Sequence, residues 1–146
     1  MVRSTHSVNR GFRFWVEFGG LVDSGFSEVS GLHSEIDIEE YREGGVNGYV
    51  HRLAKATKFH PIVLKRGITK SPDLWNWYEA VMGGYIARMD GAIIMHDEAD
   101  NEIVRWNIFG CYPVKWIGPE MNATSSSVAI ESIELVHNGF KAVFKQ

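Results

Sequence analysis

The sequence predicts a mainly β domain, an antiparallel β-barrel or sandwich carrying one α-helix and a long extended loop. Three observations predict it. Apolar and polar residues alternate in several short runs, which is the period of a half-buried strand. A single segment, opening at Ser71-Pro72-Asp73, carries apolar residues at helical spacing. Fifteen glycines in 146 residues supply the turns that many short strands require.

Residues 1–11 are polar and are expected to form a flexible N-terminal arm. From Phe12, the alternation of Phe12, Phe14, Val16 and Phe18 against Arg13, Trp15 and Glu17 predicts the first strand, ended by Gly19-Gly20. A second extended segment runs from Phe26 to Ile38, with a break near Ser30-Gly31. The stretch Glu39–Thr57 has little apolar periodicity and contains Gly44, Gly45 and Gly48, so a long loop joining two strands is expected there. A loop of that length in a small domain is usually functional.

The helix is expected to start with Ser71 as cap, Pro72 at the first helical position and Asp73 in the first turn. Leu74, Trp77, Tyr78, Val81 and Met82 form its apolar stripe, and Gly83-Gly84 ends it. Ala92–His96, Ile103–Ile117 and Val128–His137 are rich in Ile, Val, Trp and Phe and predict three further strands. The polar cluster Asp97–Glu102 turns the first two into a hairpin, and Asn122–Ser127 is a polar loop. No internal repeat or domain boundary interrupts the chain, so residues 1–146 are expected to be one domain.

The composition, 45% hydrophobic and 23% charged, is that of a folded domain able to bury a core without disulfides. A net charge of −3 and a pI near 6.1 give no global attraction to nucleic acid or membrane. Cys111, the single cysteine, sits in an apolar stretch and is expected to be a small core residue. No apolar run is long enough to span a bilayer, and the opening residues lack the apolar segment of a secretory signal. Synthesis in the cytoplasm, with no stable membrane anchor, is the expectation.

Catalytic chemistry finds no support. His6, His33, His51, His60, His96 and His137 are scattered, with no pair at the spacing of a familiar zinc motif. The acidic run from Asp97 to Glu102 lacks the glycine and spacing of a calcium loop. There is no phosphate-binding loop, nucleophile elbow or Ser-His-Asp arrangement. Five tryptophans suit core or interface packing. We expect no enzyme and no cofactor. The alternative is a small β-barrel that binds a ligand or catalyses a reaction in its cavity, supported by the aromatic content and the histidines.

The charge layout is more informative. Glu28, Glu35, Asp37, Glu39, Glu40 and Glu43 make 28–43 acidic, whereas 51–70 carries Arg52, Lys55, Lys58, Lys65, Arg66 and Lys70 and no acid at all. Two readings follow: the runs pair within one subunit, or the acidic surface of one copy meets the basic surface of the next. Strands as apolar as Trp106–Tyr112 also need covered edges. A ring joining subunits edge to edge into one large barrel would provide that cover.

The segment Phe26-Ser27-Glu28-Val29-Ser30-Gly31-Leu32, then Glu35 and Tyr41-Arg42-Glu43-Gly44-Gly45, resembles the phage tail-tube family typified by the T4 tube protein. The likeness continues through Leu64–Thr69, Leu74-Trp75 with Trp77, Trp106–Pro113 and Ile130–Phe140. These blocks span nearly the whole chain in family order. The family includes inner-tube proteins of extracellular contractile injection systems. The resemblance implies a tail-tube fold that assembles as hexameric rings, stacked inside a contractile sheath between baseplate or hub and tube-terminating proteins. DNA or protein cargo passes along the lumen as the tube penetrates a target envelope. It also implies assembly into a virion tail or a released particle, and leaves open a baseplate tube-initiator of the same fold. By this analogy the loop reaches a neighbouring subunit or ring. The interface candidates are then Glu35, Asp37, Glu39, Glu40, Tyr41, Glu43, Gly44, Gly45 and Asn47, together with Arg52, Lys55, Lys58, Lys65, Arg66 and Lys70.

Overall fold

A computed structural model describes residues 13–41, 50–67, 71–120, 123–124 and 130–146. The expected N-terminal arm, Glu43, Gly44, Gly45, Asn47 and Lys70 lie outside the described residues. The chain runs through β1 (Arg13–Phe18), β2 (Leu21–Ser30), β3 (Ser34–Tyr41), β4 (His51–Phe59) and β5 (Ile62–Gly67). After α1 (Asp73–Met82) come β6 (Met89–His96), β7 (Glu102–Ile117), β8 (Ile130–Val136) and β9 (Gly139–Phe144).

The ladder order β6-β1-β2-β5-β8-β7 returns to its start because β7 also pairs with β6. Six antiparallel strands therefore close a barrel, which removes their free edges. Strand β7 spans both halves of one side. Its Tyr112–Ile117 part pairs with β8, and its Val104–Phe109 part pairs with β9. Strands β8 and β9 are thus two stretches of one line along β7, parted by His137-Asn138. There the Asn138 N–H donates to the Phe109 carbonyl at 2.8 Å, and Gly110 opposite takes φ +62°. Strand β5 flanks β8 but not β9.

Alternation places Val16, Phe18, Ile62, Leu64, Ile93, Ile108, Ile133 and Leu135 inside, with Cys111. Helix α1 adds Leu74 and Trp77 to the same core. The Trp77 ring lies 5.2 Å from that of Phe18, and its indole N–H donates to the Ala87 carbonyl at 3.1 Å. The buried polar tip is therefore satisfied. Each such side chain contributes about 1.5–3 kcal/mol by leaving water.

Several expectations shift. The helix is capped by Pro72 without a side-chain hydrogen bond, and the Ser71 hydroxyl lies 3.5 Å from the Asp73 N–H. Its end is as expected: Gly84 takes φ +94°, and Tyr85 and Gly84 N–H groups donate back to the Ala80 and Val81 carbonyls. The Asp97–Glu102 turn also forms, with Asp97 Oδ1 accepting the Ala99 and Asn101 N–H groups at 2.9 Å. The expected loop Glu39–Thr57 is strand at both ends, through Tyr41 and from His51. Within that stretch the strand residues show no apolar periodicity, because they pack against no core among the described residues. Strand β9 was not anticipated.

Arg66 is corrected most sharply. It was expected at a surface contact but is 3% exposed. The inward positions of β5 are Ile62, Leu64 and Arg66, and Glu131 stands directly opposite Arg66 on β8. Arg66 Nε donates to Glu131 Oε1 at 3.0 Å, and its guanidinium lies 5.2 Å over the Phe26 ring. Parity turned the cation inward, and a carboxylate in register compensates it.

Candidate assembly surfaces

Inside the barrel, β2 pairs with β5 from Phe26↔Arg66 to Ser30↔Val63. Beyond residues 31–33 and 60–61 the same two segments pair again as β3 and β4, from Ser34↔Phe59 to Tyr41↔His51. The result is a two-stranded arm continuing the barrel ladder past its rim. Its bend needs Gly31, at φ +91°, where an added Cβ would collide with the Pro61 carbonyl oxygen.

The root of the arm is fastened to the β8–β9 junction. Gly139 N–H donates to His137 Nδ1 at 3.1 Å, which makes Nε2 the protonated nitrogen. That nitrogen donates to the His60 carbonyl at 2.8 Å. The Phe59 ring lies 5.6 Å from His137 and 5.4 Å from Phe140.

An extra residue on β4, between Ile36↔Thr57 and Ile38↔Ala54, keeps the faces of the arm distinct. Ile36, Ile38, Ala54 and Thr57 share one face; Glu35, Asp37, Glu39, Tyr41, Leu53 and Lys58 share the other. Ile36 and Ile38 are 56% and 55% exposed. Leu53 and Tyr41 are about half exposed as well. A lone two-stranded ribbon is marginal in water, and this arm holds apolar area that no other element covers among the described residues.

The two charge runs lie on opposite strands of this arm and its root, and several pairs close within the chain. Lys58 reaches Asp37 at 3.1 Å, Lys65 reaches Glu28 at 3.5 Å and Arg52 reaches Glu40 at 3.9 Å. All are exposed pairs, worth about 0–1 kcal/mol each. Glu35, Glu39 and Lys55 are exposed and form no ion pair among the described residues. The structure thus brings together Asp37, Glu40, Tyr41, Arg52 and Lys58 with the unpaired three, and places Arg66 elsewhere.

The outer face of β1, β6 and β7 is a second polar surface. Arg105 lies 3.0 Å from Glu102 and 3.6 Å from Glu17, beside an opening of about 320 Å³ shared with Trp15, Ile94 and His96. The Arg105 hydrogen bond holds the Glu102 carboxyl below its ordinary range, burial opposing it. Backbone hydrogen bonding, led by Asn101, lowers Asp97 likewise. Burial pushes the Cys111 thiol up to about 12, with Asp90 adding to it. No group of three or more His, Cys, Asp or Glu is placed to hold a metal ion among the described residues. The space beside Arg66 and Glu131 in the barrel has no room for a water molecule.

Sequence reasoning missed two surfaces. The outer edge of β9 has no partner among the described residues; the alternation Phe140-Lys141-Ala142-Val143-Phe144 was its signal. Trp75, 40% exposed, meets Trp116 edge-on at 5.3 Å and Tyr78 at 5.8 Å. Its helical spacing from Tyr78 was visible, but not the strand residue that joins them.

Residues 10–141 match the family model described as T4-like virus tail tube protein gp19. No curated protein sequence matches the chain. Among solved structures, a chain of the PVC extracellular contractile injection system sheath-tube complex in the extended state superposes with a TM-score of 0.80 at 23% identity, covering 99% of each chain. A chain of the anti-feeding prophage tube-terminating cap gives 0.79 at 25% identity, covering 91% of this chain and 89% of that one. Hcp1 from Flavobacterium johnsoniae gives 0.60 at 16% identity, covering 91% and 96%.

Proposed function

The chain belongs to the family of T4-like virus tail tube proteins, and we propose that it is the repeating subunit of the inner tube of a contractile injection particle. Copies assemble as hexameric rings, and rings stack into a tube with a continuous lumen. A sheath surrounds the tube, a baseplate or hub starts it and a terminating protein ends it. The subunit acts by shape and contact, without catalysis or a cofactor. Protein or DNA cargo passes along the lumen when the tube is driven through a target envelope. The chain is made in the cytoplasm and works in the assembled particle.

One observation carries this reading. The β3–β4 arm leaves the barrel with Ile36 and Ile38 more than half exposed, an apolar area that a neighbouring copy would cover. The injection-particle reading is favoured over a phage tail by the similarity to the sheath-tube and cap structures.

Electron microscopy and sedimentation of the purified chain test the proposal. Rings or tubes are expected from the wild type, and folded monomers from the Ile36→Ser/Ile38→Ser variant. A wild-type chain that stays monomeric at high concentration, with and without its particle, refutes it.

A further inference from the structure

Two strand edges bear on how copies meet: the outer edges of β9 and of β3, neither of which has a partner among the described residues. Their backbone phases can be read from single hydrogen bonds. The Lys145 N–H donates to the Ile103 carbonyl at 2.9 Å, one step beyond the pair Val104↔Phe144. Odd-numbered residues of β9 therefore face β7, and Phe140, Ala142 and Phe144 turn their N–H and C=O groups outward. On the arm, the His60 N–H donates to the His33 carbonyl at 3.4 Å, one step beyond Ser34↔Phe59. Glu35, Asp37 and Glu39 then face β4, and Ile36, Ile38 and Glu40 turn outward.

The side chains of the two edges are complementary as well. One face of β9 carries Lys141, Val143 and Lys145, and the other carries Phe140, Ala142 and Phe144. One face of β3 carries Glu35, Asp37 and Glu39, and the other carries Ile36 and Ile38. Both the glutamate pair and the lysine pair are four residues apart, about 13 Å along a strand. An antiparallel register with Glu39 opposite Lys141 and Glu35 opposite Lys145 also sets Ile38 against Ala142 and Ile36 against Phe144. It brings the outward backbone groups of one edge onto those of the other. Slipping by one residue loses the charge match, the apolar match and the hydrogen-bond phase together. Glu35, Glu39 and Lys141 have no ion-pair partner among the described residues, and Lys145 reaches Glu102 only at 3.9 Å.

We propose that β9 of one copy and β3 of the next form this antiparallel ladder, a strand addition between identical subunits. Each copy then offers one edge and receives the other, the head-to-tail arrangement that closes into rings or extends into stacks. The proposal rests on the tube-subunit reading and names the contact that builds the tube.

The test is a charge swap read by sedimentation velocity and electron microscopy, with circular dichroism confirming the fold of each variant. Lys141→Glu/Lys145→Glu and Glu35→Lys/Glu39→Lys are each expected to weaken assembly about tenfold or more. Combining all four substitutions is expected to restore it. Ala142→Pro removes an outward N–H while sparing the β7 ladder, and is expected to abolish assembly with the native charges in place. Wild-type-like assembly by both charge variants, or no restoration by the combination, overturns the ladder. So does normal assembly of the proline variant, which decides the matter if a charge variant fails to fold. Wild-type tubes alongside unaffected variants remove the ladder and leave the tube subunit standing. A wild-type chain that never assembles removes both.

Discussion

Replacing Glu131 by Gln keeps the side chain's size but removes the charge facing the Arg66 guanidinium. The two groups meet at 3.0 Å, with side chains only 4% and 13% exposed. Removing one partner of a buried pair costs about 3–5 kcal/mol, because the remaining charge stays away from water. The low end, about 3 kcal/mol, applies because Glu131 keeps some solvent and Gln can still accept a hydrogen bond. Unfolding entropy of about 2.1 cal/mol/K per residue over 146 residues amounts to about 0.3 kcal/mol/K. The melting temperature is then expected to fall by about 10 °C, measured by scanning calorimetry. The double variant Arg66→Met/Glu131→Leu, which removes both charges, is expected to melt within about 3 °C of the wild type. A Glu131→Gln variant that melts with the wild type would show that the pair is not held away from water as described. Impaired assembly at unchanged stability would return Arg66 to the surface role that the basic run suggested.

Two further outcomes follow from titratable groups. The Cys111 thiol, buried and raised to about 12, is expected to resist a disulfide exchange reagent at pH 8 until the chain unfolds. Rapid labelling of the native protein would show that the β7 interior is open. Glu102 has a folded pKa below its ordinary value of 4.5, so it contributes stability above that pH and loses the contribution as pH falls through the folded value. Glu102→Gln is expected to flatten the acid side of the stability profile, as measured by urea denaturation between pH 3 and 6. An acid limb identical to the wild type would remove Glu102 as its cause.

Strands with one face on the core were legible because burial on one side writes a period of two into the residues. Phe14, Val16 and Phe18 announce β1, and the Ile-rich runs around Asp97–Glu102 announce the β6–β7 hairpin. Helix α1 was equally clear, since Leu74, Trp77 and Tyr78 lie on one helical face. The arm was legible as strand only at its root, where the extended segment reaches Ile38; the stretch from Glu39 to Thr57 read as a loop. Along β4, His51–Phe59 lies mostly in the open, so no core imposed alternation and the segment resembled a loop. Strand β9 is short and open on one edge, and its signal began only after the interruption at His137-Asn138.

The sequence by itself determined the elements that carry their own periodicity, the absence of a motif for catalysis, and the two opposed charge runs. Tertiary structure decided where those charges point. Whether Arg66 faces water or the barrel depends on the register of β5 with a strand 65 residues later. Whether the acidic and basic runs answer each other depends on the arm that lays them side by side. Local patterning fixes what each residue can offer; only the pairing of distant strands fixes which side it faces and which partner it meets.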